Sequence, residues 1–476
     1  MTGRAAGVQA VETEDRRQKP AGVAALLVLC VAVFLVLLDN SLMNVALPSV
    51  REDLGFRDGD EQWVLSGYAL TFGGFLLLGG RAGDLVGARR MFLGGLVLFT
   101  VASAAGGLAQ EPWMLVAARV LQGLGAAALS PSAMALVLGL FVGPARHRAL
   151  GVYAATAAGG ITAGMLVGGV LTEYANWRWV MFVNVPIALA ALIPALVLIP
   201  DLRFAGKRAR LDVAGAVTVT GGLIALLFAL EQASRLGWAD AQVLAGLALG
   251  VALLAAFVLV QRRSAAPLIP AALFRDRTVR TASTVMFLKS TMGIAVLFLP
   301  TLYLQQVRGY SPLVSGLAFL PAGLAGVAAS LTGPRLVRRL GDPRGAIVLA
   351  LAVQAVGLGS MTVLPASGAW PWLLAGSVLG MLGFLWSDVA LNYVLVVRVD
   401  EETRGAGTGV FRTAAQLGGA IGLGVLATIV GARSNAGPVG PGSLTAGLQW
   451  ALWCAVAFAV AGLVIAAVGL RPRRPG

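Results

Sequence analysis

The chain has 476 residues, of which 58% are hydrophobic and only 12% charged, with a mean hydropathy of +0.83. A soluble domain carries about twice that charged fraction, so an ordinary globular enzyme, a disordered chain and a disulfide scaffold are excluded together. The net charge of +14 and pI near 11.0 come from short loops between apolar runs, as membrane orientation requires, and no basic soluble domain stands ready for nucleic acid.

Residues 1–20 are polar and mixed in charge and read as a disordered tail. The long apolar run that follows lacks a small-residue cleavage site, so it reads as span 1 and not as a signal peptide. Apolar periodicity predicts helices near 21–47, 63–79, 91–109, 113–141, 149–171 and 180–199, which are spans 1 to 6. Spans 7 and 8 are expected near 213–230 and 241–260. Spans 9 to 14 follow near 281–303, 313–333, 346–364, 371–397, 405–430 and 444–470. The expected total is 14, and an even number places both termini on one side. Of the 36 Lys and Arg, only Arg51, Arg57, Arg178, Arg235, Arg308 and Arg433 fall in loops on the opposite side, while Arg119, Lys289 and Arg412 lie within spans. That bias predicts both termini in the cytoplasm.

Cys30 and Cys454 fall inside apolar runs and read as small hydrophobes. The single histidine, His147, is in a basic loop. With no clustered His, Cys or Ser in the loops, no catalytic residue, metal ligand or cofactor-binding residue is expected. No Walker-type loop appears, which argues against export driven by ATP.

A repeat organises the spans. Gly79-Gly80-Arg81-Ala82-Gly83-Asp84-Leu85-Val86-Gly87-Ala88-Arg89-Arg90 links spans 2 and 3. Gly333-Pro334-Arg335-Leu336-Val337-Arg338-Arg339-Leu340-Gly341-Asp342-Pro343-Arg344 links spans 10 and 11. The pairs Gly79/Gly333, Arg81/Arg335, Gly87/Gly341 and Arg90/Arg344 share one offset. The expected fold is therefore all-α: a six-helix bundle over 21–199, two inserted helices within 200–280, a second six-helix bundle over 281–470, and a tail at 471–476. Transporters built from repeated halves hold their substrate between them near the midplane.

At these residues the chain resembles the major facilitator superfamily, specifically its fourteen-span drug:proton antiporters of actinobacterial type. In span 1, Leu38-Asp39-Asn40-Ser41-Leu42-Met43-Asn44-Val45-Ala46-Leu47-Pro48 resembles that family's first-helix signature. Gly80, Asp84, Gly87 and Arg89 match its inner-loop gating motif, with Leu85 and Ala88 where a basic residue is common. Span 4 carries the proton-coupling motif in Arg119-Val120-Leu121-Gln122-Gly123, and Asn176-Trp177-Arg178-Trp179 with Asn184-Val185-Pro186 resembles the entry into span 6. The antiporter motif of span 5 survives at Gly160, Gly164, Gly168 and Gly169, but Met165 stands where the family has proline.

The intramembrane charges supply the chemistry. Asp39 is about 27 Å from the inner face along span 1 and Arg119 about 9 Å below the outer face along span 4, both in the outer third. Charges there face a partner or a cavity, and a carboxylate beside an arginine can alternate between protonated and ionised forms. Asp39 and Arg119 are the expected proton-coupling residues, against the alternative of a fixed brace between spans 1 and 4. Lys289 in span 9 and Asp388 in span 12 fall in the inner third and are expected to pair, as a gate, a substrate contact or a static brace; Lys289 could instead snorkel to lipid. Asp84 is expected against the start of span 13, near Arg404-Gly405-Ala406-Gly407, where a helix dipole favours an anion. Arg412 in span 13 is open between a structural and a functional part. Asn40, Asn44, Gln122, Tyr153, Gln354, Trp386 and Asn392 are polar or amphipathic residues expected near the cavity. Gly418-Gly419-Ala420-Ile421-Gly422 reads as a helix-packing face.

The resemblance implies a single-chain, multi-pass exporter of hydrophobic or amphipathic drugs or antibiotics. It would sit in the cytoplasmic membrane and work by alternating access, with the proton gradient as energy source and no cofactor. The alternatives are a dedicated exporter of one metabolite, such as a siderophore or small peptide, and a polytopic membrane enzyme.

Overall fold

The computed structural model describes residues 2–57, 60–141, 143–201, 212–264, 273, 275–310, 312–363, 370–399, 404–434 and 441–470. Among these the chain is helical throughout. Span 1 lies in the helix Thr2–Leu54, and the tail expected at 1–20 is helical from Thr2 onward. Its Ala, Glu, Gln and Arg are strong helix formers, and they continue into span 1 without a break.

Thirteen helices among the described residues are long and apolar enough to cross a membrane, so the count of 14 is not confirmed. The shortfall is at span 10. The helix expected near 313–333 is divided into Pro312–Ala318 and Leu320–Leu340. Its inner turns carry Pro334, Arg335, Arg338 and Arg339, which shorten the apolar stretch.

The other spans are Asp60–Gly83 (2), Ala88–Gly107 (3), Pro112–Leu140 (4), Arg148–Thr172 (5) and Arg178–Leu198 (6). Val213–Leu230 and Ala241–Arg263 are spans 7 and 8. Arg277–Val307, Pro343–Met361, Trp372–Leu395, Gly407–Arg433 and Gly442–Gly469 are spans 9 and 11 to 14.

The repeat is visible in the packing. Span 1 packs on spans 5 and 6, span 4 on spans 2 and 3, and span 3 on span 6. Eight spans later the same pairs recur: 9 on 13 and 14, 12 on 10 and 11, 11 on 14. The third and sixth helix of each half face outward, with Val97 and Val101, Ile193 and Val197, Leu349 and Val356, and Val464 and Val468 exposed. Apolar rows of this kind belong against lipid.

The halves meet where span 5 packs on span 10 and span 2 on span 13. Span 7 lies against both span 2 and span 13, and span 8 touches the rest chiefly through span 7. With only 17% of its window buried, span 8 is the most peripheral helix. Trp63 stacks on Phe228 at 5.7 Å, and the Trp238 indole N–H donates to Thr428 at 2.8 Å, fixing the inserted pair to both halves at one end of the bundle.

Both inner-loop segments use the same two devices. Gly87 at φ +106 and Gly341 at φ +67 turn the chain between the second and third helix of each half, a conformation that only glycine adopts without strain. Arg89 then donates to the Leu196 carbonyl at 2.6 Å and Arg344 to the Ala467 carbonyl at 2.5 Å, each in the last turn of its half's sixth helix. A guanidinium there complements the helix dipole. The structural counterpart of Arg344 is thus Arg89 and not Arg90, whose side chain is exposed. The one-residue shift arises because the two turns differ in shape.

Candidate functional site

Among the described residues two ion pairs lie inside the spans, one in each half. The first is built from five of the six helices of its bundle. Asp39 of span 1 accepts from the Arg119 guanidinium at 2.5 Å through Oδ2. Its Oδ1 accepts from the amides of Asn184 at 2.6 Å and Gln122 at 3.2 Å. Arg119 also donates to Gln122 Oε1 at 2.9 Å and, through Nε, to the Val64 carbonyl at 3.0 Å, while its guanidinium lies 4.4 Å from the centre of the Tyr68 ring. Asn184 reaches Ser103 of span 3 at 3.0 Å, which in turn donates to the Met181 carbonyl. Asp39, Arg119, Gln122, Asn184 and Ser103 are all fully buried. Burying two charges is costly unless they are paired and their remaining positions are bonded. Here only Arg119 Nη2, Tyr68 Oη and Asn184 Oδ1 lack a partner among the described residues.

The sixth helix, span 5, supports this cluster from behind. A Cβ added at Gly160 would come within 2.7 Å of the Phe34 carbonyl oxygen, and one at Gly164 within 2.6 Å of that of Leu38. Gly168 would meet Leu42 Cα at 3.2 Å, and Gly169 is buried. The glycine stripe therefore lies along span 1 at the level of Asp39. Span 13 repeats this on span 9, where a Cβ at Gly418 or Gly422 would strike the carbonyl of Phe287 or Thr291. The side chain of Met165, where proline was expected, lies outside the described residues.

The second pair joins Lys289 of span 9 to Asp388 of span 12 at 2.6 Å. The ammonium also donates to the Phe384 carbonyl at 3.3 Å and lies 3.9 Å from the centre of the Phe384 ring. Asn392 donates to Asp388 Oδ2 at 3.0 Å. Lys289 is 1% exposed and Asp388 26%, so the ammonium faces protein and not lipid, and snorkelling is excluded. The two pairs occupy equivalent helices, first to fourth in each half, with the signs exchanged. They differ in depth: Asp39 is about 12 Å from the Leu47 end of its span and Asp388 about 10 Å from the Leu395 end of its own, which lie on opposite sides.

Other expected residues are placed differently. Asn40 and Asn44 bond each other, with Asn44 donating to the Asn40 carbonyl at 2.7 Å, and lie on another face of span 1 from Asp39. Trp386 donates its indole N–H to Thr332 at 2.9 Å and ties span 12 to span 10, a packing contact between neighbouring helices. Gln354 is fully buried against span 12, and Tyr153 is buried in span 5. Gly80 packs near Pro131 of span 4. The Asp84 side chain lies outside the described residues, as does its expected meeting with residues 404–406.

Sequence reasoning missed Asn184, Ser103 and Tyr68 as members of the Asp39 cluster. Asn184 had a signal, a lone amide in span 6 that had to find a partner away from lipid. Ser103, in a run of small residues, had none.

Beyond the end of span 1, Asp53 accepts from the Trp177 indole at 2.9 Å and is paired with Arg178. Those donors, the indole first, hold its carboxyl below the ordinary range. Arg178 also reaches the Ala109 carbonyl at 3.0 Å, so this contact locks together the adjacent ends of spans 1, 3 and 6.

The major facilitator superfamily model matches residues 29–423. The chain is 41% identical over 453 residues to the puromycin resistance protein pur8 of Streptomyces alboniger, covering 93% of this chain and 89% of that one. It is also 41% identical over 419 residues to the cephamycin export protein CmcT of Amycolatopsis lactamdurans, covering 87% and 86%. The crystal structure of the human organic anion transporter MFSD10 shares the fold, with a TM-score of 0.68, at 18% identity over 94% of this chain and 99% of that one. The chain belongs to the major facilitator superfamily and is a multi-pass membrane protein.

Proposed function

We propose that this member of the major facilitator superfamily is an exporter of amphipathic small molecules, antibiotics among them, driven by proton exchange across the cytoplasmic membrane. It is a transporter and not an enzyme, works as a single chain without a cofactor, and keeps both termini in the cytoplasm. Relatives whose names state puromycin resistance and cephamycin export support the substrate class.

The observation that carries proton coupling is the Asp39 cluster. Asp39 accepts from three donors on two other helices, and the ionised carboxylate accepts from them more strongly than the neutral acid. A proton on Asp39 weakens its hold on Arg119 and Asn184. Arg119 is not stranded by that release, because Gln122, the Val64 carbonyl and the Tyr68 ring still hold it. Protonation therefore loosens span 1 from spans 4 and 6 and leaves the Arg119 charge held by neutral groups alone, a costly state that favours a change of conformation. The glycine face of span 5 lets span 1 move as a rigid rod against a smooth surface. Gly87 and Arg89 hold the inner ends of spans 3 and 6 together while it does so.

The test is transport by purified protein in proteoliposomes with an imposed pH gradient. A neutral amphipathic dye such as Nile red should be carried against its gradient, and a protonophore should abolish this. Asp39→Asn should lose at least about tenfold of the driven transport. Undiminished pH-driven transport by that variant would refute the assignment.

A further inference from the structure

Arg412 is outside both clusters and has no hydrogen-bond or ion-pair partner among the described residues. It lies in span 13, about 8 Å from the inner end of the apolar stretch, and is exposed. Its charge is nonetheless felt by Tyr153 of span 5, by Lys289 of span 9 and by Asp388 of span 12. Around span 13, Gly409 meets Leu77 of span 2, Gly418 meets Phe287 of span 9 and Leu417 packs with span 7; Arg412 lies on the remaining face, away from span 7, so the guanidinium projects into the seam between the halves and not towards lipid.

The only acid inside spans 9 to 14 is Asp388, and both its oxygens are engaged, one by Lys289 and the other by Asn392. The patch thus holds two cations and one carboxylate. A net positive charge at this depth favours an incoming anion, and a cationic ligand would be repelled. A guanidinium offers a carboxylate two parallel donors, and the neighbouring Phe384 ring supplies an aromatic surface.

We propose that Arg412, set beside the Lys289–Asp388 pair, is a recognition site for the carboxylate of amphipathic substrates at the inner end of the seam. The proposal rests on the export reading above and adds to it a preferred substrate class. A carboxylate entering from the cytoplasm takes the free face of Arg412 while its apolar body lies along span 12.

Three probes with one aromatic body separate the outcomes: pyrenebutanoate, its methyl ester, and pyrenebutyl-trimethylammonium. Their equilibrium binding to the purified full chain in phosphatidylcholine nanodiscs is followed by fluorescence. The acid should bind about tenfold more tightly than the ester, as one charge-assisted contact allows, and the cation should be the weakest. Arg412→Gln should bring the acid-to-ester ratio close to one, and Arg412→Lys should retain part of it. Arg433→Gln, at the outer surface, should leave it unchanged. Equal affinity for acid and ester, an unchanged ratio in Arg412→Gln, or failure of all three to bind would overturn the proposal. Loss of acid preference with pH-driven ester export intact would remove this inference alone. Acid-selective binding without driven export would instead sink the export reading and leave the site standing.

Discussion

At the scale of single residues, the two ion pairs differ in what surrounds them. Asp39 and Arg119 are enclosed, whereas Asp388 is open on one side. Breaking a buried pair by removing one partner costs about 3–5 kcal/mol, because the other charge is left uncompensated. Lys289→Met and Asp388→Leu should each lower the amount of folded protein recovered from membranes. The double variant should lose less than the sum of the two. Size-exclusion profiles and thermal midpoints of the four proteins would measure this, and additive losses would show that the pair contributes nothing as a pair. Charges were the most legible part of the sequence at this scale, since an ionisable residue in a span must find a partner. Their supporting amides and hydroxyls were less so. Gln122 stands out beside Arg119, but Ser103 joins the cluster only because span 3 happens to face span 6. That is a tertiary fact with no local signature.

At the scale of elements, small residues decide which helices can touch. Lipid is as apolar as leucine, so helices in a bilayer associate by close packing and not by hiding from water. Gly164 brings span 5 so near to span 1 that any side chain would run into the Leu38 carbonyl at 2.6 Å. Backbone cannot yield as a flexible side chain would. Gly159, one residue before the stripe, has nothing within 4 Å of an added Cβ. Gly164→Val should therefore separate spans 1 and 5, displace Asp39, and abolish driven transport or prevent folding. Gly159→Ala should be carried without loss and gain slightly from helix propensity. A cysteine pair across spans 1 and 5 that crosslinks equally well in Gly164→Val would contradict this. The stripe itself was readable from its spacing of four. Its partner was not, because a small-residue face names no neighbour. The break in span 10 had a local signal that the apolar run masked: Pro321, in the first turn of the restarted helix, has no N–H to continue the ladder of the turn before it.

Across the whole molecule, a repeated fold positions two charge pairs at equivalent helices but at opposite depths, and that arrangement has meaning only if the chain has a definite orientation. Loop arginines set it. Span 8 ends in Arg262 and Arg263 with Ser264 directly after them, so that end should be held in the cytoplasm. Ser443 stands at the start of the last helix, beyond Arg433 and the loop that follows span 13, and should face outward. In a chain with Cys30 and Cys454 replaced by Ala, a cysteine at Ser443 should react with an impermeant maleimide on intact cells. A cysteine at Ser264 should react only after permeabilisation. With that result, the enclosed Asp39 cluster lies near the outer surface and Arg412 near the cytoplasm. A substrate captured at the inner seam and a proton arriving from outside then approach from opposite ends, as exchange requires. The reverse labelling would place Asp39 nearest the cytoplasm, where an inward proton gradient reaches it last, and the export direction proposed above would fall with it.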